Sequence, residues 1–258
     1  MNFLSTICSD VGIKKQTNQD SACIKIANTS KGKILMAVLC DGMGGLSKGE
    51  LASATVIKEF SCWFDTQLVK YIRDENTDKI KYCWERMIHD LNQRIAEYGK
   101  ENGFNLGTTL TALLILDKNY VLIGHIGDTR AYVIDSSITQ LTEDHTVVGR
   151  EIRRGNMTPE QAENDPRRNV LLQCIGASKT VEPQFIETTT NPGNVWILCS
   201  DGFRHKLSDK EIMDAFSPVR LNDKQSIDSV SRRMVDINKQ RQEEDNITVI
   251  AIKLIDEV

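Results

Sequence analysis

Short apolar runs, each four to nine residues long, are spread along the whole of this 258-residue sequence. That length is typical of a strand and shorter than most helices. Two longer segments, around residues 56–68 and 80–98, place apolar residues at helical spacing and stand together between groups of the short runs. This order favours an α+β layered sandwich with antiparallel sheets over alternating βαβ units. The short runs cover residues 22–27, 34–40, 108–116, 121–126, 131–134, 195–199 and 247–255.

The later part of the chain adds two predicted helices and one unusual polar stretch. Residues 227–237 have helical spacing, and Ser208 begins a Ser-Asp-Lys-Glu capping box that predicts a shorter helix. The polar stretch 147–169 carries five arginines and a helix start at Thr158. We expect it to form a surface flap. Because no linker or internal repeat interrupts the chain, we expect one domain over residues 1–258.

Composition narrows the class of partner and the compartment. Acidic residues outnumber basic ones, 36 to 32, and no polybasic block is present, so nucleic acid is not an expected partner. The longest unbroken apolar stretch, residues 34–40, is too short for a membrane span, and the N-terminus lacks the features of a signal peptide. The seven cysteines are odd in number and scattered, which is typical of reduced thiols. We therefore expect a cytoplasmic protein.

Acidic residues stand at the ends of the predicted strands. Asp41 and Asp201 each follow an apolar run and precede a glycine, while Asp20 and Asp245 come just before two further runs. If these strand ends converge, several carboxylates share one pocket, and cations or protons must compensate their repulsion. Hard divalent cations suit oxygen ligands, and the sequence has no histidine or cysteine pair at zinc-site spacing. The sequence therefore predicts a Mg²⁺ or Mn²⁺ site.

Six short motifs follow one another along the chain: Asp41–Gly45, Gly107–Thr109, Gly127–Tyr132, Leu141–His145, Ser200–Gly202 and Asp245–Thr248. In this order they resemble the motifs of the metal-dependent protein serine/threonine phosphatases, the type 2C or PPM family, of bacterial type. The resemblance begins at Ser9–Gly12 and runs to the last predicted strand, so it covers essentially the whole chain. No single motif is specific, but six in the correct order make chance a poor explanation.

The resemblance implies a four-layer αββα sandwich, in which two antiparallel sheets are flanked by helices and a binuclear metal centre lies at one end. In such a centre Asp41 would bridge both metals and the carbonyl of Gly42 would bind the first. Asp201 and Asp245 would bind the second. The stretch 147–169 is similar to the family's flap, which lies beside the catalytic cleft.

Two further acids receive roles from the resemblance. Asp20 matches an acid that supports the metal centre, and Asp128 matches a ligand of a third, weaker metal that shares Asp201. The expected cofactors are therefore Mn²⁺ or Mg²⁺ in two tight sites, with a third weaker one. A water that contacts two such cations becomes hydroxide-like near neutral pH and attacks phosphorus directly. The catalytic residues implied in this way are Asp20, Asp41, Asp201 and Asp245.

Three positions depart from the family pattern. Lys15 stands where the family usually has an arginine that binds the substrate phosphate, so we expect Lys15 to be the substrate-binding residue. Gln19 stands where glutamate is common and brings no charge. Met43 replaces a histidine found in many eukaryotic members, although methionine is common there in bacterial relatives.

The sequence favours hydrolysis of phosphoserine and phosphothreonine in proteins, in opposition to a serine/threonine kinase. A catalytically weak regulatory module that binds phosphoproteins is the alternative, and Lys15 and Gln19 are its only support. Hydrolysis of a small phosphorylated metabolite is a third option that the metal site alone would permit. We expect a monomer whose partners are phosphorylated proteins and a cognate kinase system.

Overall fold

Buried strands in two stacked sheets form the centre of the molecule. The computed structural model describes residues 2–29, 32–44, 48–73, 77–116 and 119–255, and all strand pairs in these ranges are antiparallel. Sheet A has the order β1-β12-β11-β8-β9, sheet B has the order β10-β7-β6-β3-β2, and β4 pairs with β5. The strands are β1 (Asn2–Asp10), β2 (Ser21–Thr29), β3 (Gly32–Cys40), β4 (Gly42–Gly44), β5 (Leu106–Thr108), β6 (Leu110–Ile115), β7 (Tyr120–Ile126), β8 (Arg130–Ile134), β9 (Ile138–Gln140), β10 (Gln184–Thr189), β11 (Val195–Cys199) and β12 (Ile247–Ile255).

Helices cover the outer face of each sheet. Helices α1 to α3 pack on sheet B, and helices α6 to α8 pack on sheet A. The predicted four-layer αββα sandwich is therefore confirmed. The helices are α1 (Gly49–Thr66), α2 (Leu68–Arg73), α3 (Thr77–Asn102), α4 (Val147–Arg153), α5 (Pro159–Glu163), α6 (Asp201–Arg204), α7 (Asp209–Ala215) and α8 (Lys224–Gln240).

Strand β3 shows why the central strands are apolar without alternation. Leu35, Ala37 and Leu39 face the space between the sheets, where they meet residues such as Trp196 and Ile250 of sheet A. The intervening β3 residues face the helices of the outer layer. A strand that is covered on both faces has no side that faces solvent. Its residues are therefore apolar throughout and do not alternate with polar ones.

Most predicted elements form, with differences at the edges of the sheets. The predicted strand 108–116 is broken at Thr109, which separates β5 from β6. Leu68, predicted to close a helix, instead begins α2. Strands β6 and β7 pair as the predicted hairpin, although residues 117 and 118 of its turn lie outside the described residues. Four strands were not predicted: β1, β9 and β10 at the edges of the two large sheets, and the short β4.

The polar stretch 147–169 contains α4 and α5, and most of its residues are exposed. α5 begins at the predicted helix start, where Thr158 caps it through a capping box with Gln161. The amide of Val147 donates to the carbonyl of Val170 at 2.9 Å, which ties the two ends of the stretch together. The arginine side chains here contact local acceptors: Arg167 donates to Asp165 at 2.8 Å.

Two further observations concern membrane-spanning helices and the cysteines. None of the described helices is both long and apolar enough to cross a lipid bilayer. All seven cysteines are free thiols, and three of them, Cys40, Cys174 and Cys199, are buried.

Candidate active site

The acids singled out in the sequence converge at one end of the two sheets. Asp41 follows β3, Asp201 begins α6 directly after β11, and Asp20 and Asp245 precede β2 and β12. Asp128 lies in the turn between β7 and β8. The negative charges of the other four acids all act on Asp41 and raise its pKa, although burial is the larger cause. The structure therefore brings together all five predicted acids.

The backbone around Asp41 is fixed by the Gly-Thr-Thr motif. The Thr109 hydroxyl accepts from the amide of Asp41 at 2.8 Å, and the hydroxyl of Thr108 and the amide of Thr109 both donate to the Asp41 carbonyl at 2.9 Å. The break between β5 and β6 thus has a function, since it turns both threonines toward Asp41.

Gly42 is held at a close approach of three chain segments. Its amide donates to the carbonyl of Gln19 at 3.1 Å. A Cβ at this position would lie 2.3 Å from the carbonyl oxygen of Gly49 and 2.5 Å from that of Gln19. Only glycine fits, because real Cβ atoms do not approach a carbonyl so closely.

Asn246 connects the loop before β2 to the loop before β12. Its side chain accepts from the amide of Gln19 at 2.9 Å and donates to the carbonyl of Val11, also at 2.9 Å. The neighbouring Asp245 is held by its own amide, which donates to the Glu243 carboxylate at 3.0 Å. These bonds set the position of Asp20 and Asp245 relative to each other.

Because several acids lie close together at the site, their negative charges need compensation by protons or cations. Burial, with a contribution from the charges of Asp201 and Asp245, raises the pKa of Asp20 to about 7. Burial and the charge of Asp201 raise the pKa of Asp128 to about 7 as well. Both carboxylate oxygens of Asp20 and one of Asp201 are buried without a hydrogen-bond partner among the described residues. Oxygen atoms of this kind fit a hard divalent cation.

The side chains do not enclose an ion by themselves. Within the described ranges, no three histidine, cysteine or acidic side chains lie close enough together to hold a metal ion. An ion here would need other ligands as well. Mg²⁺ and similar ions keep several waters and use only one or two carboxylates, so the arrangement suits them better than zinc.

Lys15 lies at the rim of the acidic cluster. Its ammonium group is 2.9 Å from the Asp245 carboxylate, and about 43% of its side chain is exposed. Partial burial disfavours the charge, but the contact with Asp245 outweighs it and raises the pKa of Lys15. Lys15 therefore carries its charge at neutral pH and faces the acids.

A second set of residues surrounds Asp128 and was not predicted. Arg130 makes two 2.8 Å bonds to Asp144, and Arg204 donates to Asp144 at 3.3 Å. Arg130 and Asp144 lie within the motifs 127–132 and 141–145, but the sequence gives no separate indication of their role. Arg204 lies in none of the motifs. His205, the next residue, lies 3.5 Å from the Asp201 carboxylate.

The turn that carries Asp128 rests on two neutral histidines. His125 Nε2 lies 3.1 Å from the carbonyl oxygen of Gly127, so it donates, and Nδ1 accepts from the Thr111 hydroxyl at 2.9 Å. His145 Nδ1 accepts from the amide of Gly127 at 3.1 Å. Burial lowers the pKa of His125 to about 3 and that of His145 to about 4.

Comparison with known proteins identifies the family of this chain. The profile of the family described as "Protein phosphatase 2C" matches residues 13–242. A curated relative, protein phosphatase PhpP of Streptococcus pneumoniae, is 30% identical over 256 residues, which are 98% of either chain.

Solved structures give the same result. The serine/threonine phosphatase of S. agalactiae superposes with a TM-score of 0.84 at 25% identity, covering 98% of this chain and 100% of that one. The catalytic domain of the phosphatase PstP in complex with two manganese ions superposes with a TM-score of 0.76 at 26% identity, covering 98% and 99% of the two chains. The chain belongs to the protein phosphatase 2C family and is a protein serine/threonine phosphatase.

Proposed function

We propose that the five converging acids form a divalent-metal centre with two tight sites and a third weaker one. Asp41 and the carbonyl of Gly42 would hold the first ion. Asp41, Asp201 and Asp245 would hold the second together with waters, because these side chains do not enclose an ion by themselves. Asp20 would support both. Asp128 and Asp201 would hold the third. The unpartnered, buried oxygens of Asp20 and Asp201 are the observation that carries this proposal.

Mn²⁺ or Mg²⁺, when bound, supplies an activated water and offsets negative charge on the transferred phosphoryl group. The chain itself positions the reactants. Thr108 and Thr109 hold Asp41 through its backbone, and Asn246 holds the segment before β2 against the segment before β12. Lys15 binds the substrate phosphate as a charged donor at the rim of the site.

The physiological setting follows from the activity. The substrates are phosphorylated proteins, and the chain opposes a cognate serine/threonine kinase in the cytoplasm. We propose that the chain acts as a monomer with a single domain, whose flap, residues 147–169, borders the substrate cleft. The hydrogen bond from the Val147 amide to the Val170 carbonyl, which joins the two ends of this stretch, supports a compact flap.

Hydrolysis of a phosphothreonine peptide tests the proposal. We expect turnover with Mn²⁺ or Mg²⁺, and none with EDTA. Equal rates with and without the chelator would contradict a metal-dependent mechanism. Binding of the peptide without turnover would instead support the regulatory module, and turnover of small phosphate esters alone would support a metabolite phosphatase.

A further inference from the structure

Arg204 places a buried positive charge beside the turn that carries Asp128. It is the last residue of α6, three positions after Asp201, so one helical turn presents the acid and the arginine close together. Its side chain is only about 15% exposed. Nη2 lies 3.3 Å from the backbone carbonyl oxygen of Asp128 and 3.9 Å from a carboxylate oxygen of the same residue.

The contact with Asp144 alone does not explain why the charged group of Arg204 is buried here. Nη2 of Arg204 also donates to Asp144 at 3.3 Å, but Asp144 already receives two shorter bonds, each 2.8 Å, from Arg130. Arg130 therefore satisfies Asp144 with a bidentate geometry, the stronger arrangement for this pair. In the part of the chain that the structure describes, the carboxylate of Asp128 lies within reach of Arg204 and has no such bidentate partner.

We propose that Arg204 is the fixed counter-cation of Asp128 and weakens divalent-metal binding at the third site. This inference rests on the proposed metal centre. The guanidinium group stays charged at every accessible pH, and its charge is fixed in place by the carbonyl of Asp128 and the carboxylate of Asp144. A divalent cation that binds Asp128 must then approach a buried positive charge, which screening by solvent relieves only partly.

The consequence concerns how much metal the enzyme needs. With Arg204 next to Asp128, part of the charge that a third ion would bring is already present in the protein. The third site should therefore fill only at Mn²⁺ concentrations well above those that saturate the two tight sites.

Calorimetric titration with Mn²⁺ on folded, metal-stripped protein tests the inference. In Arg204→Gln we expect a third ion to bind at least about tenfold more tightly than in the parent, because a repelling charge within a few ångströms is removed. Arg204→Lys keeps a positive charge and should resemble the parent. Arg94→Gln is the matched control, because Arg94 is a paired but exposed arginine on the opposite helical layer.

The outcomes separate this inference from the proposed function. Unchanged third-site affinity in Arg204→Gln, with both tight sites intact, overturns the role of Arg204 alone. If the parent protein itself shows no tight Mn²⁺ binding, the proposed metal centre is wrong.

A second measurement does not need Arg204→Gln to fold. The parent and Asp128→Asn should bind the same number of Mn²⁺ ions at concentrations that just saturate the tight sites. A third ion bound by the parent at those concentrations, and lost in Asp128→Asn, would show that Arg204 does not oppose the site.

Discussion

At the scale of single residues, the partly buried carboxylate of Asp41 is needed for metal binding and is unfavourable without metal. We expect Asp41→Asn to lower kcat/KM at least about 100-fold, since changes to groups that merely support a metal ligand already cost 10- to 100-fold. The metal-free variant should melt at the same temperature as the metal-free parent or higher, because asparagine removes a carboxylate that is costly to ionise there, as its raised pKa indicates. Steady-state kinetics and thermal melts in EDTA measure the two effects.

Asp65→Asn is a suitable control for this comparison. Asp65 is an exposed acid on α1 that pairs with Lys25 at 2.6 Å, so its loss changes the net charge equally but leaves the site unaltered. If metal-free Asp41→Asn melted clearly below the parent, Asp41 would have a structural role instead. Asp201→Asn should behave in the same way as Asp41→Asn.

Lys15 allows a sharper comparison at the same scale. If it binds the substrate phosphate, Lys15→Ala should reduce transition-state stabilisation by about 1.5–3 kcal/mol, the usual contribution of a hydrogen bond to a charged group. Lys15→Arg should preserve or improve kcat/KM, because its planar group binds phosphate through two donors. Lys14, whose ammonium pairs with Glu244 at 2.5 Å, gives the control Lys14→Ala. Parent-like kcat/KM in Lys15→Ala would exclude the phosphate contact.

The acids were predictable from the sequence, but their surroundings were not. Asp41 and Asp201 could be recognised because an apolar run that ends in Asp-Gly is a local pattern, and the convergence of strand ends follows from stacking two sheets. Arg204 and His125 have no such local pattern. Their importance comes from contacts with Asp128, Thr111 and other residues distant in sequence, which only the packed structure shows.

At the scale of elements, an N-terminal cap stabilises helix α8, which belongs to the helical layer on sheet A. Asp223 precedes the helix, and its carboxylate accepts from the amide of Ser226 at 2.7 Å. We expect Asp223→Ala to lower the free energy of unfolding by about 1 kcal/mol, the usual cost of losing an N-cap. Urea unfolding measures this loss, and kcat should not change. Asn222→Ala, at the exposed neighbouring position, should leave the stability as it is; an equal loss there would contradict the capping role.

The sequence predicted the central strands and missed the edges for a physical reason. Strands such as β3 and β11 are buried on both faces, so they appear as continuous apolar runs. Strands β1 and β10 lie at sheet edges and keep partly exposed polar residues, which weakens the apolar pattern. The predicted helices needed no such context, because each has one apolar face toward a sheet.

At the scale of the whole molecule, two groups of buried residues give opposite responses to pH. The pKa of Asp20 is raised to about 7, so the folded metal-free protein holds a proton that the unfolded chain releases above about pH 4, and acidification from pH 7 stabilises the fold. The pKa of His125 is lowered to about 3, so between about pH 6.5 and 3 the unfolded chain takes up a proton that the folded chain refuses. Acidification through that range therefore destabilises the fold.

A variant of His125 isolates the second response, because the contribution of the acids cancels between parent and variant. Asparagine can still accept near the Nδ1 position, so His125→Asn should fold, with lower stability at pH 7 because it loses the bond to the Gly127 carbonyl. From pH 7 to 5 the gap in unfolding free energy between parent and variant should shrink by roughly 2 kcal/mol, because only the parent's unfolded chain gains the imidazole proton. Urea unfolding at pH 7, 6 and 5 measures the gap. His89→Asn, at an exposed position on α3, should follow the parent. Parallel stability curves for the parent and His125→Asn would mean that His125 is protonated as easily in the folded protein as in the unfolded chain, and that the turn carrying Asp128 does not rest on a neutral imidazole.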